Sequence, residues 1–206
     1  MKLFYMPGAC SLAPHIVLEW IGKPFELGRI ERGKTREPDF LSVNPVGKVP
    51  ALIEEDGRVL TEAEAILLYL AEQFPDNQLG ASPTAEARYE MHKWMSYFTG
   101  DVHPAFYPYF LPQRYIADEH QYHALRDAAY KQIDACFQLL DRHMENRSHM
   151  VEDRPTVFDP YLFVFCRWGK SLAKPFTDYP NLHRFLIQMA EDSGVQRAMQ
   201  AQSISL

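Results

Sequence analysis

Cys10 is the side chain in this sequence whose position most favours chemistry. Cys10-Ser11 stand immediately before a helical pattern that carries Ile16, Val17, Trp20 and Ile21. At a helix N-terminus the free N–H groups carry partial positive charge, which favours thiolate over thiol. The plain alternative for such a residue is a buried structural thiol. A dithiol pair is not expected, because the position three residues on is Ala13, but a mixed disulfide with a small external thiol remains compatible. Ser11 offers a hydroxyl that either donates to a neighbouring thiolate or caps the helix. Tyr5 shares a strand with Phe4 and reads as core, and Cys136 and Cys166 fall on core faces of helical patterns.

A second chemical stretch runs from Asn44 to Leu70. Asn44-Pro45-Val46-Gly47 is a turn, since Pro fixes φ and Gly supplies a conformation other residues avoid. Val49-Pro50 leads into Ala51-Leu52-Ile53, and the missing donor of Pro50 starts the strand there or puts it at an edge. A cis Val49-Pro50 bond turns the N–H and C=O of Val49 outward, where they pair with an extended peptide. Glu54-Glu55-Asp56-Gly57 reads as a hairpin turn, with Arg58-Val59-Leu60 as the returning strand. Thr61 then reads as a helix N-cap, with Glu64 at the capping-box position and Ile66, Leu67, Leu70 and Phe74 on one face. Exposed backbone beside a helix N-terminus suits a small anionic peptide.

The elements that must position these residues follow from the rest of the pattern. Lys2 to Tyr5 is a strand and Met6 to Ala9 a loop. Pro14 fits the first turn of the first helix and Gly22 its C-terminal exit. Phe25 to Ile30 is a second strand, followed by a polar loop and a short helix near Asp39 to Val43. The order β-α-β-α-β-β-α over residues 1–76 predicts an α/β unit of thioredoxin type. Pro75-Asp76-Asn77 and Gly80-Ala81-Ser82-Pro83 punctuate a boundary, and residues 84–206 read as an all-helical domain. Thr84 to Tyr97 continues toward Phe110 with an interruption near Pro104 and Pro108, and Gln121 to Met144 is amphipathic. Thr156 caps a third helix with Asp159 reaching back, Tyr161 to Cys166 is apolar all round, and Pro160 costs that helix an early hydrogen bond. Pro180 to Ala190 and Ser193 to Gln200 close the chain.

Composition narrows the classes. With 206 residues, 47% hydrophobic and 23% charged, this is a soluble globular sequence of one large or two small domains. No run approaches a membrane span, and the N-terminus is too soon interrupted by Pro7-Gly8 for a signal peptide, so a cytoplasmic location without membrane partners is expected. A net charge of −6 disfavours a phosphate-binding surface, and no nucleic-acid partner is expected. Three widely spaced cysteines form neither a disulfide framework nor a zinc pattern, and no metal is expected.

Taken in order, these features resemble the cytosolic glutathione transferases over essentially the whole chain. Phe4-Tyr5-Met6-Pro7-Gly8-Ala9-Cys10-Ser11 looks like the start of the bacterial beta class, in which that cysteine faces the glutathione sulfur. Asn44-Pro45-Val46-Gly47-Lys48-Val49-Pro50-Ala51-Leu52 is similar to the glutathione-binding turn with its cis-proline, and the run from Leu60 to Leu70 matches the third helix. Asp101-Val102-His103 and Trp168-Gly169-Lys170 stand where the beta class has an acid-x-His and a Trp-Gly-Lys element. Each motif is weak alone; five in the family's order are specific.

The resemblance implies a glutathione transferase fold, a thioredoxin-like domain followed by an all-helical one. It also implies a homodimer, glutathione as co-substrate, and a small hydrophobic electrophile as second substrate. It assigns Cys10 and Ser11 to catalysis, as donors that lower the pKa of the glutathione thiol. It places Ala9, Cys10, Lys34, Lys48, Val49, Pro50, Glu62, Ala63, Ser96, Asp101 and His103 around glutathione. Glu62 meets the ligand ammonium, and Lys34 and His103 are candidates for the glycyl carboxylate. Phe106, Tyr109, Tyr115 and Trp168 are assigned to the electrophile site.

Three positions depart from the pattern. Ala63 stands where the family usually has Ser to hold the γ-glutamyl carboxylate, which removes a bond of about 1.5–3 kcal/mol. Pro104 replaces a common lysine, and Ser96 an Asn that reaches the partner subunit's glutathione. Two further readings keep the fold. One is a monothiol reductase or peroxidase acting through a Cys10 mixed disulfide. The other is a non-catalytic ligand-binding or assembly module, toward which Ala63 leans.

Overall fold

The computed structural model describes the whole chain, Met1–Leu206. It opens with strand β1 (Lys2–Tyr5), helix α1 (Leu12–Ile21), β2 (Glu26–Arg29), α2 (Pro38–Val43), β3 (Ala51–Ile53), β4 (Val59–Thr61) and α3 (Ala63–Gln73). The sheet order is β2-β1-β3-β4. β1 pairs in parallel with β2, because a helix carries the crossover, and antiparallel with β3; the short hairpin makes β4 antiparallel to β3. In the hairpin turn Gly57 takes φ 86° and donates its N–H to the Glu54 carbonyl at 3.0 Å. The Arg58 guanidinium and the Tyr69 hydroxyl both donate to Glu54 Oε2, at 2.5 and 2.6 Å, and fasten the hairpin to α3. This is the thioredoxin-like unit the sequence implies.

The start of α3 differs from expectation. Thr61 does not cap the helix; it is the last residue of β4 and pairs with Ala51. The ladder claims Thr61, so the whole change of direction falls on Glu62, which adopts φ 68°, ψ 123° and makes no side-chain cap bond. An L residue held there stores about 1–3 kcal/mol of backbone strain.

Helices α4 (Ala85–Tyr97), α5 (His103–Phe110), α6 (Tyr122–His143), α7 (Phe158–Gly169), α8 (Pro180–Glu191) and α9 (Ser193–Ala201) make up the rest. Thr84 Oγ1 accepts from Ala87 N–H at 3.0 Å and caps α4. The expected interruption at Pro104 is a widened π turn, Phe98–Val102, that keeps the path helical into α5. Pro104 brings no N–H to the Gly100 carbonyl and its ring crowds that carbonyl, and a wider turn relieves both. Pro108 lies within α5. Ahead of α7 the Thr156 N–H donates to Asp159 Oδ2 at 2.7 Å and Phe158 N–H to Thr156 Oγ1 at 3.4 Å, the expected reciprocal cap. Pro160 stands four residues past the Thr156 cap and cannot give that carbonyl its i+4 bond, as expected; the Thr156 carbonyl accepts from Asp159 N–H at 3.1 Å instead. No helix is long and apolar enough to cross a membrane.

By compactness the chain divides otherwise than at the expected limits of 1–76 and 84–206. One unit is Met1–Gly80 with Pro155–Val164 and Ile187–Leu206; the other is Ala81–Arg154 with Phe165–Leu186. Within the first unit α9 lies along α1 and is attached to it in three places. Trp20 Nε1 donates to Asp192 Oδ1 at 2.8 Å, Arg197 Nε donates to Glu19 Oε2 at 2.6 Å, and Gln202 meets His15. The approach is close enough that a Cβ on Gly194 would lie 2.6 Å from Trp20 Cδ1. With α3 and α9 both packed on it, α1 buries every residue from Leu12 to Leu18.

Candidate functional site

In the first unit the site is assembled from three chain reversals. Between β1 and α1, Ala9 N–H donates to the Met6 carbonyl at 3.0 Å. Ser11 Oγ accepts from Met6 N–H at 3.2 Å and donates to Met6 O at 3.3 Å. Ser11 is fully buried and makes no side-chain bond to the helix end. Its proton points to Met6 O, and it does not cap α1. It fixes the loop that carries Cys10.

The second reversal precedes β3. The Val49-Pro50 bond is cis, as the sequence suggested. Cys10 Sγ donates to the Val49 carbonyl at 3.3 Å. Asn44, buried and read from sequence only as a turn former, is the staple here. Its Nδ2 donates to Lys48 O at 2.6 Å and its Oδ1 accepts from Val46 N–H at 3.1 Å. Phe40, Val49 and Ala51, with Phe4, Met6, Ala9, Ile30 and Val43 against them, form the apolar floor of both loops. The third reversal is Glu62-Ala63, where Glu62 is exposed and Ala63 buried at the start of α3.

The electrostatics of Cys10 reverse the expectation of a thiolate. Burial pushes its thiol from 9.0 up to about 12; the backbone N–H groups of Cys10 and Ser11 pull it down and the Glu62 carboxylate pushes it further up. A helix N-terminus contributes about 0.3–1 kcal/mol, less than one pKa unit. Burial wins, and Cys10 is a protonated donor at neutral pH.

Other expected residues fall as follows. Ala9 lies on the loop ahead of Cys10, half-buried against the apolar floor. Lys34 is exposed and paired with Glu37 of its own loop, which raises its pKa. Lys48 is exposed.

In the second unit Ser96 is exposed near the end of α4. Asp101, on the π turn, lines a groove of about 550 Å³ with Tyr97, Pro104, Gln132 and Cys136. The His103 ring lies 5.3 Å from Trp168 and 5.0 Å from Tyr107. Phe106 is only 1% exposed and packs at 5.1 Å against Trp168 and 6.2 Å against Phe165. It supports Trp168 from the core, which leaves it almost no surface to offer an electrophile. Tyr109 stacks edge-on to Phe110 at 5.6 Å, while Tyr115 is 55% exposed and outside this cluster. His103 and Trp168 are therefore brought together, and Tyr115 is not.

Comparison with known proteins agrees with this architecture. Residues 1–72 match the family model "Glutathione S-transferase, N-terminal domain" and residues 101–192 the model "Glutathione S-transferase, C-terminal domain". The chain belongs to the glutathione S-transferase family. It is 36% identical to glutathione S-transferase GST-4.5 of Xanthomonas campestris over 205 residues, covering 100% of both chains. Among solved structures it is similar to a bacterial beta class glutathione S-transferase of Sphingomonas chungbukensis, at 36% identity and TM-score 0.89 over 100% of both chains. A sphingomonad glutathione S-transferase complexed with glutathione matches at 35% identity and TM-score 0.87, again over 100% of both chains.

Proposed function

We propose that this chain conjugates reduced glutathione to small hydrophobic electrophiles, as a cytoplasmic homodimer, with Cys10 donating a hydrogen bond to the glutathione sulfur. The observation that carries the role of Cys10 is its buried, protonated thiol beside the Val49 carbonyl at the start of α1. The homodimer and the location rest on the resemblance to the cytosolic transferases.

Glutathione is an extended peptide, and Val49 presents backbone groups for it to pair with. The first N–H groups of α3 suit the γ-glutamyl carboxylate, and the exposed Glu62 suits the ammonium beside it. The ligand's thiol proton passes to solvent. The thiolate left behind is held by the Cys10 S–H, which turns to it from the Val49 carbonyl once the tripeptide pairs with that carbonyl, and by backbone N–H groups at the start of α1, which lowers the cost of forming it near neutral pH. Its electron pair then forms the C–S bond as the leaving group departs with the electrons of the bond that breaks. The resemblance assigns Trp168 to the electrophile and His103 to the glycyl carboxylate.

A redox role through a Cys10 mixed disulfide needs the thiolate of Cys10. With the thiol pushed up to about 12, about one molecule in 10⁵ carries that thiolate at pH 7. The test is conjugation of a chlorinated dinitrobenzene, with glutathione binding by calorimetry, in wild type and Cys10→Ala. Wild type is expected to bind and conjugate, and the variant to lose about tenfold in kcat, the worth of one weak donor. A wild-type protein with no glutathione affinity, or a variant with undiminished turnover, would count against the reading.

A further inference from the structure

The turn that follows α9 reaches the loop that carries Cys10. Gly8 N–H donates to Gln202 Oε1 at 3.1 Å, and Nε2 of the same amide lies 3.0 Å from His15 Nδ1. A backbone N–H only donates, so the amide oxygen must face Gly8 and the amide nitrogen His15. An amide nitrogen also only donates, so His15 accepts at Nδ1 and carries its proton on Nε2. Gln202 and His15 are both buried, which keeps water from replacing either bond. The groups around the imidazole leave it neutral. Tyr5 and Phe25 pack at 6.0 and 5.6 Å between ring centroids, and Glu19, whose Oε2 accepts from Arg197, holds Oε1 3.8 Å from Nε2, beyond hydrogen-bond distance.

The bonds from Ala9 and Ser11 to Met6 fix the shape of the loop, since both partners lie within it. Gln202 differs in kind. It ties the loop to the end of a helix 194 residues away in sequence, and so fixes where the loop stands relative to α1 and α9. Cys10 is two residues from Gly8.

The geometry points to Gln202 as a positioning residue for Cys10, oriented in turn by His15. This inference rests on the reading that Cys10 donates to the glutathione sulfur. Without the amide, Gly8 relaxes and the Cys10 thiol drifts from the sulfur, while Val49 and α3 still grip the rest of the tripeptide.

Two substitutions separate the two bonds. Gln202→Met keeps the length and loses both; Gln202→Glu keeps an acceptor for Gly8 N–H and loses the donor to His15. Gln202→Met is expected to lower kcat about tenfold with KM for glutathione within about twofold, and Gln202→Glu to recover most of kcat. In ¹⁵N spectra wild-type His15 should show a bare Nδ1, and Gln202→Glu should move a proton onto it. Should Gln202→Met not fold, Gln202→Ala, which also removes both bonds, carries the same expectation. A lower Tm with unchanged kcat per folded molecule, or wild-type His15 protonated on Nδ1, overturns the role of Gln202. Wild-type protein that neither binds nor conjugates glutathione overturns the functional reading instead.

Discussion

Cys10 Sγ and the Val49 carbonyl oxygen lie 3.3 Å apart, so the thiol proton bridges the start of α1 to the turn before β3. Because the thiol is raised from 9.0 to about 12, Cys10 should resist alkylation. Three pKa units remove about 10³-fold of thiolate, and the greater intrinsic nucleophilicity of a basic thiolate restores part of that, leaving a rate about 30- to 60-fold below a free thiol. Iodoacetamide labelling followed by mass spectrometry from pH 7 to 9 measures it. Labelling as fast as free cysteine would show that the thiol is not held this way.

Ala63→Ser restores a hydroxyl at the first residue of α3, next to N–H groups suited to a carboxylate. Glutathione affinity should tighten by roughly 1 kcal/mol or more, about five- to tenfold in Kd. Calorimetric titration of both proteins decides it, and an unchanged Kd removes the γ-glutamyl carboxylate from that helix end.

Glu62→Gly should do two opposite things. Relief of the φ 68° backbone is expected to add about 1 kcal/mol to stability, read as a higher Tm. Loss of the carboxylate and of the rigid turn should weaken glutathione binding about tenfold. A variant that is both less stable and fully able to bind would refute the strain at this position.

His15 makes stability depend on pH. Burial lowers its pKa from 6.5 to about 4, so the unfolded chain binds the proton first as pH falls. The contribution is fully present above pH 6.5 and is lost progressively down to about pH 4, where it has cost about 3 kcal/mol. Urea unfolding at pH 7.5, 6 and 5 should show the decline, and His15→Gln should flatten it. Equal slopes in both proteins would assign the acid sensitivity elsewhere.

The sequence made the strands, the cis Val49-Pro50 bond and the Thr156-Asp159 cap legible because each depends on neighbours a few residues apart. Local rules also explain the misreadings. Thr61 has the chemistry of a cap, but pairing with Ala51 claimed it for β4. Cys10 has the helix end that lowers a thiol pKa, yet burial, which no local pattern reports, pushes it the other way. Phe106 sits at helical spacing among aromatics, and only packing against Phe165 and Trp168 shows it faces the core. Asn44 carried a signal, since a turn-forming Asn is where a side-chain staple to the backbone is expected. Gln202 carried none, because its partners lie 187 and 194 residues away.

The clamp of α9 on α1 also sets an order of events on the ribosome. Trp20 must wait for Asp192, 172 residues later in the chain, roughly ten to thirty seconds at ordinary rates of synthesis. Through that interval the side of α1 that α9 will cover, with Gly194 against Trp20, stays open, although the sheet beneath it is already complete in sequence. A nascent chain stalled before Asp192 is therefore a natural client for a chaperone that shelters a short apolar helix face, and one released at that length would expose it for good.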